Sequence, residues 1–241
     1  MKKFTKASEL MWLFGVLFVS LGVAICKKAD LGVSMIAAPA FIIFEAVQSL
    51  WSGFSIGVVE YLLQGVILII MCLIVQRFHL KYILAFLTAV IYGYCVNLWF
   101  LILGTDVFSQ VYLRWIMLIV GDITTSLGVA CFFRTYLPLE VYELVVAEVA
   151  NRYNFKVNVV KYCYDAISLI VSVILALTLF GDVKTFDWST IWYTSFHSIG
   201  LGTIVTTIIN APIIAGCGKL LDSVFDYEPL FPKIKNCMDK L

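Results

Sequence analysis

Several acids in this 241-residue chain stand inside apolar sequence, and they are the residues best placed to do chemistry. Asp122 interrupts the run Gly121-Asp122-Ile123-Thr124-Thr125, and Glu60 lies one turn into another apolar run. Glu140 opens a short stretch that also carries Glu143 and Glu148. Lys161 and Asp165 are four residues apart, which puts both on one helix face within pairing reach. A charge at the centre of a membrane helix costs about 2.5–3.5 kcal/mol on insertion scales. Each such group therefore needs a partner, a cavity or a proton. Glu60, Asp122 or Glu140 is the expected protonatable coupling group of a solute pathway.

Ser34 joins this set through a backbone break, Gly32-Val33-Ser34. A helix N-terminus exposed at such a break carries free N–H groups and a positive dipole end, which attract anions. The plainer alternative is that Ser34 caps the following helix. The corresponding helix later in the chain has Glu140 in its first turn, which favours a cation or a proton there. The candidate substrate- or ion-lining residues are thus Ser34, Glu60, Asp122, Glu140, Lys161 and Asp165.

No catalytic residue is expected. Gly53-Phe54-Ser55-Ile56-Gly57 fits the nucleophile pattern G-x-S-x-G, but it precedes an apolar helix rather than a strand-turn-helix elbow. The two histidines, His79 and His197, lack metal-ligand spacing, although His197 near Gly200-Leu201-Gly202-Thr203 is a candidate proton relay. The seven cysteines include no C-x-x-C and read as buried thiols, not as a disulfide frame or zinc site. With no P-loop, neither nucleotide, metal nor other cofactor is expected.

Composition supplies the setting. The chain is 62% hydrophobic and 14% charged. Soluble domains run at about 45–50% apolar and about 25% charged. A disordered chain would be poor in aromatics, whereas these make up 15%. Lys+Arg 17 against Asp+Glu 16 leaves no basic surplus for nucleic acid. The fold class is therefore all-α, a polytopic helical membrane protein. Its partners are the lipid bilayer and an unknown small solute, and a homo-oligomer stays open.

A bilayer core of about 30 Å needs roughly 20 apolar residues per helix. Expected spans are 9–27, 56–76, 82–104, 113–133, 158–180 and 190–217. Residues 31–51 contain Pro39, Glu45 and Gln48, and residues 137–152 are short and acidic. Both read as re-entrant or interior helices, tolerated only against protein or a cavity. Six spans with a cytoplasmic N-terminus place 13 Lys/Arg inside and 4 outside, including Lys2, Lys3, Lys6 and Lys240 inside and Lys184 outside. Eight spans give 11 against 6. Both obey the positive-inside rule with both termini cytoplasmic, and the six-span version fits better. It also places Trp51, Trp99, Trp115, Trp188 and Trp192 near the outer interface.

The chain matches itself. Ser20-Leu21-Gly22-Val23-Ala24 recurs as Ser126-Leu127-Gly128-Val129-Ala130. Each copy leads to a leucine, Leu31 or Leu137, beside a helix breaker, Gly32 or Pro138. Phe54–Val59 then matches Phe155–Val160, aligning Glu60 with Lys161. Residues 1–218 thus read as one transmembrane domain of repeat 1 (9–104) and repeat 2 (113–217), with a cytoplasmic tail over 219–241. Three spans per half invert the second half, the plan of many secondary transporters. Their sites lie where interrupted segments correspond, here 29–50 and 135–152. Gly15, Gly22, Gly121 and Gly128 are expected to let helices approach closely.

Gly22-Val23-Ala24, Ala29-Asp30-Leu31-Gly32-Val33-Ser34, Phe54-Ser55-Ile56-Gly57 and Gly200-Leu201-Gly202-Thr203 resemble the motifs of the YitT/YczE-like bacterial integral membrane proteins. The resemblance covers most of residues 15–216. Met35 stands where that pattern has proline, Val58 where it has threonine, and Leu137-Pro138-Leu139-Glu140 replaces an L-G-x-G-P stretch. The soluble C-terminal domain of YitT proper is not expected after Lys219, so the YczE-like branch is nearer. The resemblance implies a multi-pass plasma-membrane protein of unassigned activity, with no substrate or catalytic residues.

The function expected from these features is small-solute secondary transport at the repeat interface. A non-transporting assembly factor or sensor is the alternative, and an intramembrane enzyme lacks a converging nucleophile and base. If 29–50 re-enters, cysteines placed at position 28 and at position 54 label from the same side of the membrane. Labelling from opposite sides would make 29–50 a span.

Overall fold

A computed structural model describes residues 8–51, 53–104, 106–181 and 187–238. Lys2, Lys3, Lys6, Lys184 and Lys240 of the charge count lie outside the described residues, as does the side chain of Cys237. The described residues are helical in the order α1 (Ser8–Ala29), α2 (Ala38–Leu50), α3 (Ile56–Val75), α4 (Leu80–Leu103), α5 (Val111–Phe132), α6 (Val141–Tyr153), α7 (Val157–Leu179), α8 (Leu201–Val224) and α9 (Pro232–Met238). Six of them, α1, α3, α4, α5, α7 and α8, are long and apolar enough to cross a membrane. At a rise of about 1.5 Å per residue, the 13 residues of α2 and of α6 each reach only about 20 Å. That is too short to span.

Contacts between helix ends fix the course of the chain. Lys28 near the end of α1 donates to the Leu103 carbonyl at the end of α4 (2.5 Å). Asn97, near the end of α4, accepts from the Gly57 N–H at the start of α3 (2.9 Å). So α1 ends and α3 begins at one face, the Lys27 end, and the segment between them dips in and returns. At the opposite face, the Arg134 end, Tyr153 at the end of α6 donates to the Ile74 carbonyl in the last turn of α3. Arg134 pairs there with Asp222 of α8 at 2.6 Å. The segment holding α6 therefore also returns to the face it left. The structure thus gives six spans and two re-entrant half-helices whose N-termini approach mid-depth from opposite faces. The first and last described segments share the Arg134 end, where Glu9 accepts from the Leu230 and Phe231 N–H groups.

The α1–α5 pair forms the core. It needs the four expected glycines, because these helices meet backbone to backbone. A methyl on Gly22 would stand 2.5 Å from the Gly121 carbonyl, and one on Gly128 would stand 2.6 Å from the Val19 nitrogen. Around this pair, α4 packs on α1 and α8 on α5, while α2 meets α7 and α3 meets α6. Exchanging the first four helices for the next four reproduces these pairings. The exchange fails at the periphery: α3 and α4 pack closely, through Gly57 against Gly93, whereas α7 and α8 barely touch among the described residues.

The last span differs from expectation. It begins at Leu201 and ends at Val224, not 190–217, so the helix takes in residues 219–224 of the expected tail. Residues 187–200 instead form a short 3-10 turn, Trp188–Thr190, and a bend with positive φ at His197 and Ser198. Polar Thr190, Thr194, Ser195 and Ser198 bond locally or across to α1 and α2 rather than enter an apolar helix. The Gly200 N–H then donates to the Thr203 hydroxyl, closing the first turn of α8. Trp99, near the Lys27 end of α4, donates its indole N–H to Ser20 of α1 at 3.0 Å.

Gly22→Ala and Gly57→Ala should each lower the detergent melting temperature, as overpacking by about 1–3 kcal/mol does. Gly216→Ala meets no atom within 4 Å and should be neutral or slightly stabilising. Equal effects at all three positions would argue against the close helix contacts.

Candidate functional site

The loops feeding the two half-helices dock in matching ways. On one side the Leu31 carbonyl accepts from the Gly202 N–H (2.7 Å) and the Val33 N–H donates to the Ser198 carbonyl (3.0 Å). Gly32 sits at φ 105, where a side chain is strained, with Thr203 packed directly against it. On the other side the Pro138 carbonyl accepts from the Trp12 indole (3.1 Å) and the Thr88 hydroxyl (3.3 Å). Backbone that has left the helix is thereby satisfied by protein, as the membrane interior requires.

Between the two docked loops lies a cavity of about 50 Å³, walled by Ser34 to Ala37 ahead of α2 and by Glu140, Tyr142 and Glu143 at the start of α6. Lys161 and Asp165 of α7, Tyr92 of α4 and Asn210 of α8 complete its polar wall. Four of the six candidate residues, Ser34, Glu140, Lys161 and Asp165, thus line one space. The other two stand one contact behind it. Asp122 accepts from Asn210 (3.4 Å), and Glu60 accepts from the Tyr142 hydroxyl (2.9 Å).

Ser34 does not cap α2: the N-cap position is Ala37, and the Ser34 carbonyl instead accepts from the Ala37 and Ala38 N–H groups. Lys161 and Asp165 pair as their spacing implies, at 3.6 Å. Glu60 and Lys161, aligned in the sequence, have the first turn of α6 between them and form no pair. Ser55 occupies the N-cap of α3, yet its hydroxyl accepts from Asn97, whose carbonyl oxygen takes the Gly57 N–H.

Gln64 and Tyr142 belong to the site but are not among the sequence candidates, and Glu143 joins it from the acidic stretch. The Gln64 amide donates to Glu140 at 2.6 Å, and both side chains are almost fully buried. Gln64 follows Glu60 by four residues, so the shared helix face was a usable signal. In the cluster, Glu60 Oε1, Gln64 Oε1, Glu140 Oε2, Glu143 Oε2 and Asp122 Oδ2 are buried without a hydrogen-bond partner, and so is the Tyr164 hydroxyl.

The Lys27 end is fastened by charge. Lys27 reaches Glu45 (2.6 Å) and Ser198 (2.6 Å), and His197 bonds the other Glu45 oxygen (3.0 Å). His197 also stacks on Phe180 at 3.6 Å between ring centroids. It therefore lies in the loop before α8, as part of a seal rather than within a span. Asp30 adds Ser195 (2.7 Å) and Arg114 (3.6 Å). This network lines a vestibule of about 550 Å³ floored by Phe41 and Ile56. One helical turn of α2, from Phe41 to Ala37, with buried Val33 and Val96, separates that vestibule from the central cavity. Toward the Arg134 end only a narrow gap beside Lys161, Asp165 and Thr207 divides the cavity from a groove of about 590 Å³ near Tyr162 and Pro212.

Burial tends to raise the Glu45 carboxyl, but Lys27, His197 and Ser198 overcome it and hold the group below the ordinary carboxylate value of 4.5. A carboxylate so depressed stabilises the fold above its unfolded pKa, and the contribution disappears as pH falls through the folded value. Glu45→Gln should lose about 1–3 kcal/mol at neutral pH. Its deficit should shrink as detergent melts are taken below about pH 4.5. A deficit independent of pH would remove charge from the account of this seal.

No curated protein and no solved structure matches the chain. A family model described as "Family of unknown function (DUF6198)" matches residues 6–219, which include every residue lining the cavity. By that match across most of its length, the chain belongs to the DUF6198 family.

Proposed function

We propose that this multi-pass membrane protein is a small-solute secondary transporter of the cell membrane, with both termini cytoplasmic. Its site is the cavity between the two half-helices. The observation that carries the reading is convergence: both broken segments and all six candidate residues meet at, or one contact behind, one polar space near mid-depth. An assembly factor or sensor needs no such space, and stranded acids would then pair locally at the surface.

Two features support alternating access. Helix pairings that survive exchange of the first four helices for the next four favour two inverted repeats, the arrangement in which one bundle rocks against another. The barrier is also uneven, thick and apolar toward the Lys27 vestibule and thin toward the Arg134 groove. Pro212 inside α8 removes one helical hydrogen bond beside that groove and supplies a bending point. In this reading α7 and α8, loosely packed on each other, widen the thin side, and release of the Lys27–Glu45–His197 seal opens the other. The motif resemblance to YitT/YczE-like proteins is compatible with this role and names no substrate.

Glu140 is the first choice for the proton-coupling group, since it lines the cavity with one oxygen held by Gln64 and the other unpartnered. In proteoliposomes carrying a pH-sensitive dye, a panel of small-solute gradients should include one that drives proton movement. Glu140→Gln and Asp122→Asn should reduce that movement at least tenfold while leaving the melting temperature and elution profile unchanged. Full activity in both folded variants, or no solute-driven flux at all, would count against the assignment.

A further inference from the structure

The central cavity has a bias in charge and in hydrogen-bonding type that points to its occupant. Three carboxylates form its wall, Glu140, Glu143 and Asp165, against one cation, Lys161. Lys161 is spoken for by Asp165, its neighbour at 3.6 Å. The N-termini of α2 and α6 both point toward this space, each equivalent to about half a positive charge. With all three carboxyls ionised, and both helix ends and Lys161 counted, the wall is short of about one positive charge. Glu60, one contact behind the wall and also buried, widens the deficit.

The unpartnered atoms tell the same story independently. On the cavity wall, among the described residues, they are Glu140 Oε2, Glu143 Oε2 and Asn210 Oδ1, with Asp165 Oδ1 held only by Lys161 at 3.6 Å, and every one is an acceptor. Glu140 and Asp165 are 1% and 7% exposed, so bulk water does not satisfy them. Protons could neutralise single oxygens but would leave the space empty. Water would fill it but bring no charge. A small cation carrying several N–H donors does both, bonding acceptors on different helices at the usual 2.7–3.2 Å.

Size and geometry narrow the class. About 50 Å³ holds a few water-sized bodies, enough for ammonium or methylammonium and too little for a sugar or an amino acid. Among the described residues no three His, Cys, Asp or Glu side chains converge tightly enough to hold a metal ion. Tyr92 and Tyr142 on the wall add aromatic surface of the kind that attracts ammonium groups.

We propose that the cavity is a binding site for a small cation bearing N–H donors, ammonium or methylammonium, held by Glu140, Glu143 and Asp165. The binding stands on its own, and its role as cargo rests on the transport reading above. The full-length protein in detergent, at fixed ionic strength and near neutral pH, is titrated with ammonium, methylammonium, tetramethylammonium, sodium and potassium chlorides. Melting temperature is the first readout and radiolabelled methylammonium counterflow in proteoliposomes, against protein-free vesicles, is the second. Ammonium and methylammonium should raise the melting temperature saturably, as a ligand of the native state does. Tetramethylammonium, which has no N–H, should not. Glu143→Gln should weaken the response at least tenfold, and the salt series on the unaltered protein decides the matter if that variant folds poorly. Binding with counterflow supports both the site and transport. Binding without counterflow keeps the site and overturns transport of this cation. Coupled flux of another solute with no ammonium response overturns the site and keeps transport. Equal shifts from sodium, potassium and ammonium overturn the N–H donor requirement.

Discussion

Backbone that leaves the helix inside a membrane must find its hydrogen bonds in protein, and this constraint organises the whole molecule. The segments 30–37 and 133–140 are the places where it bites. Leu31 and Val33 are answered by the start of α8 and the Ser198 carbonyl, and Pro138 by Trp12 and Thr88. Those partners are close enough only because α1 and α5 run backbone against backbone through glycines and bring α4 and α8 against them. Removing that closeness would leave both breaks exposed to lipid, where each open amide costs several kcal/mol. Small residues in the core and polar residues at the breaks therefore serve one purpose.

The same constraint makes the site. A half-helix that starts mid-membrane turns its first residues, and the side chains around them, toward whatever lies at the centre. Two such helices entering from opposite faces create one shared polar space. Apart from Asp165, which pairs with Lys161, the acids there are held by short neutral contacts, Gln64 to Glu140 and Tyr142 to Glu60. That contrasts with the Lys27 end, where Lys27 and Arg114 offset the charges of Glu45 and Asp30 and His197 adds a hydrogen bond to Glu45. A saturated network suits a fastening, and an unsaturated one suits a place that must accept something.

Much of this was legible in the residues. The spans follow from apolar runs of about bilayer length, and only the last was misplaced. There the hydropathy of Ile191, Trp192 and Tyr193 masked a segment whose hydroxyls bond locally and across to α1 and α2. The four glycines were legible because small residues seven apart repeat on one helix face. The stranded acids were legible because their cost in lipid is large and demands a reason. Glu45 was noticed only as an expense, since its partners Lys27 and His197 lie far from it in sequence. Gln64 and Tyr142 carry no charge and gave no comparable signal.

Composition and spacing alone thus determined that the chain is a helical membrane protein, where it crosses, which segments are broken and which ionisable groups need explaining. These are local properties, set by transfer energies along a single helix. Whether 31–51 and 137–152 span or re-enter was settled only by contacts such as Lys28 to Leu103 and Tyr153 to Ile74, which join distant parts of the chain. Tertiary structure likewise decided that Ser34, Glu140, Lys161 and Asp165 share one cavity and that its unpartnered atoms are acceptors. Charge balance and hydrogen-bond satisfaction depend on distances between helices, and no spacing along the sequence encodes those.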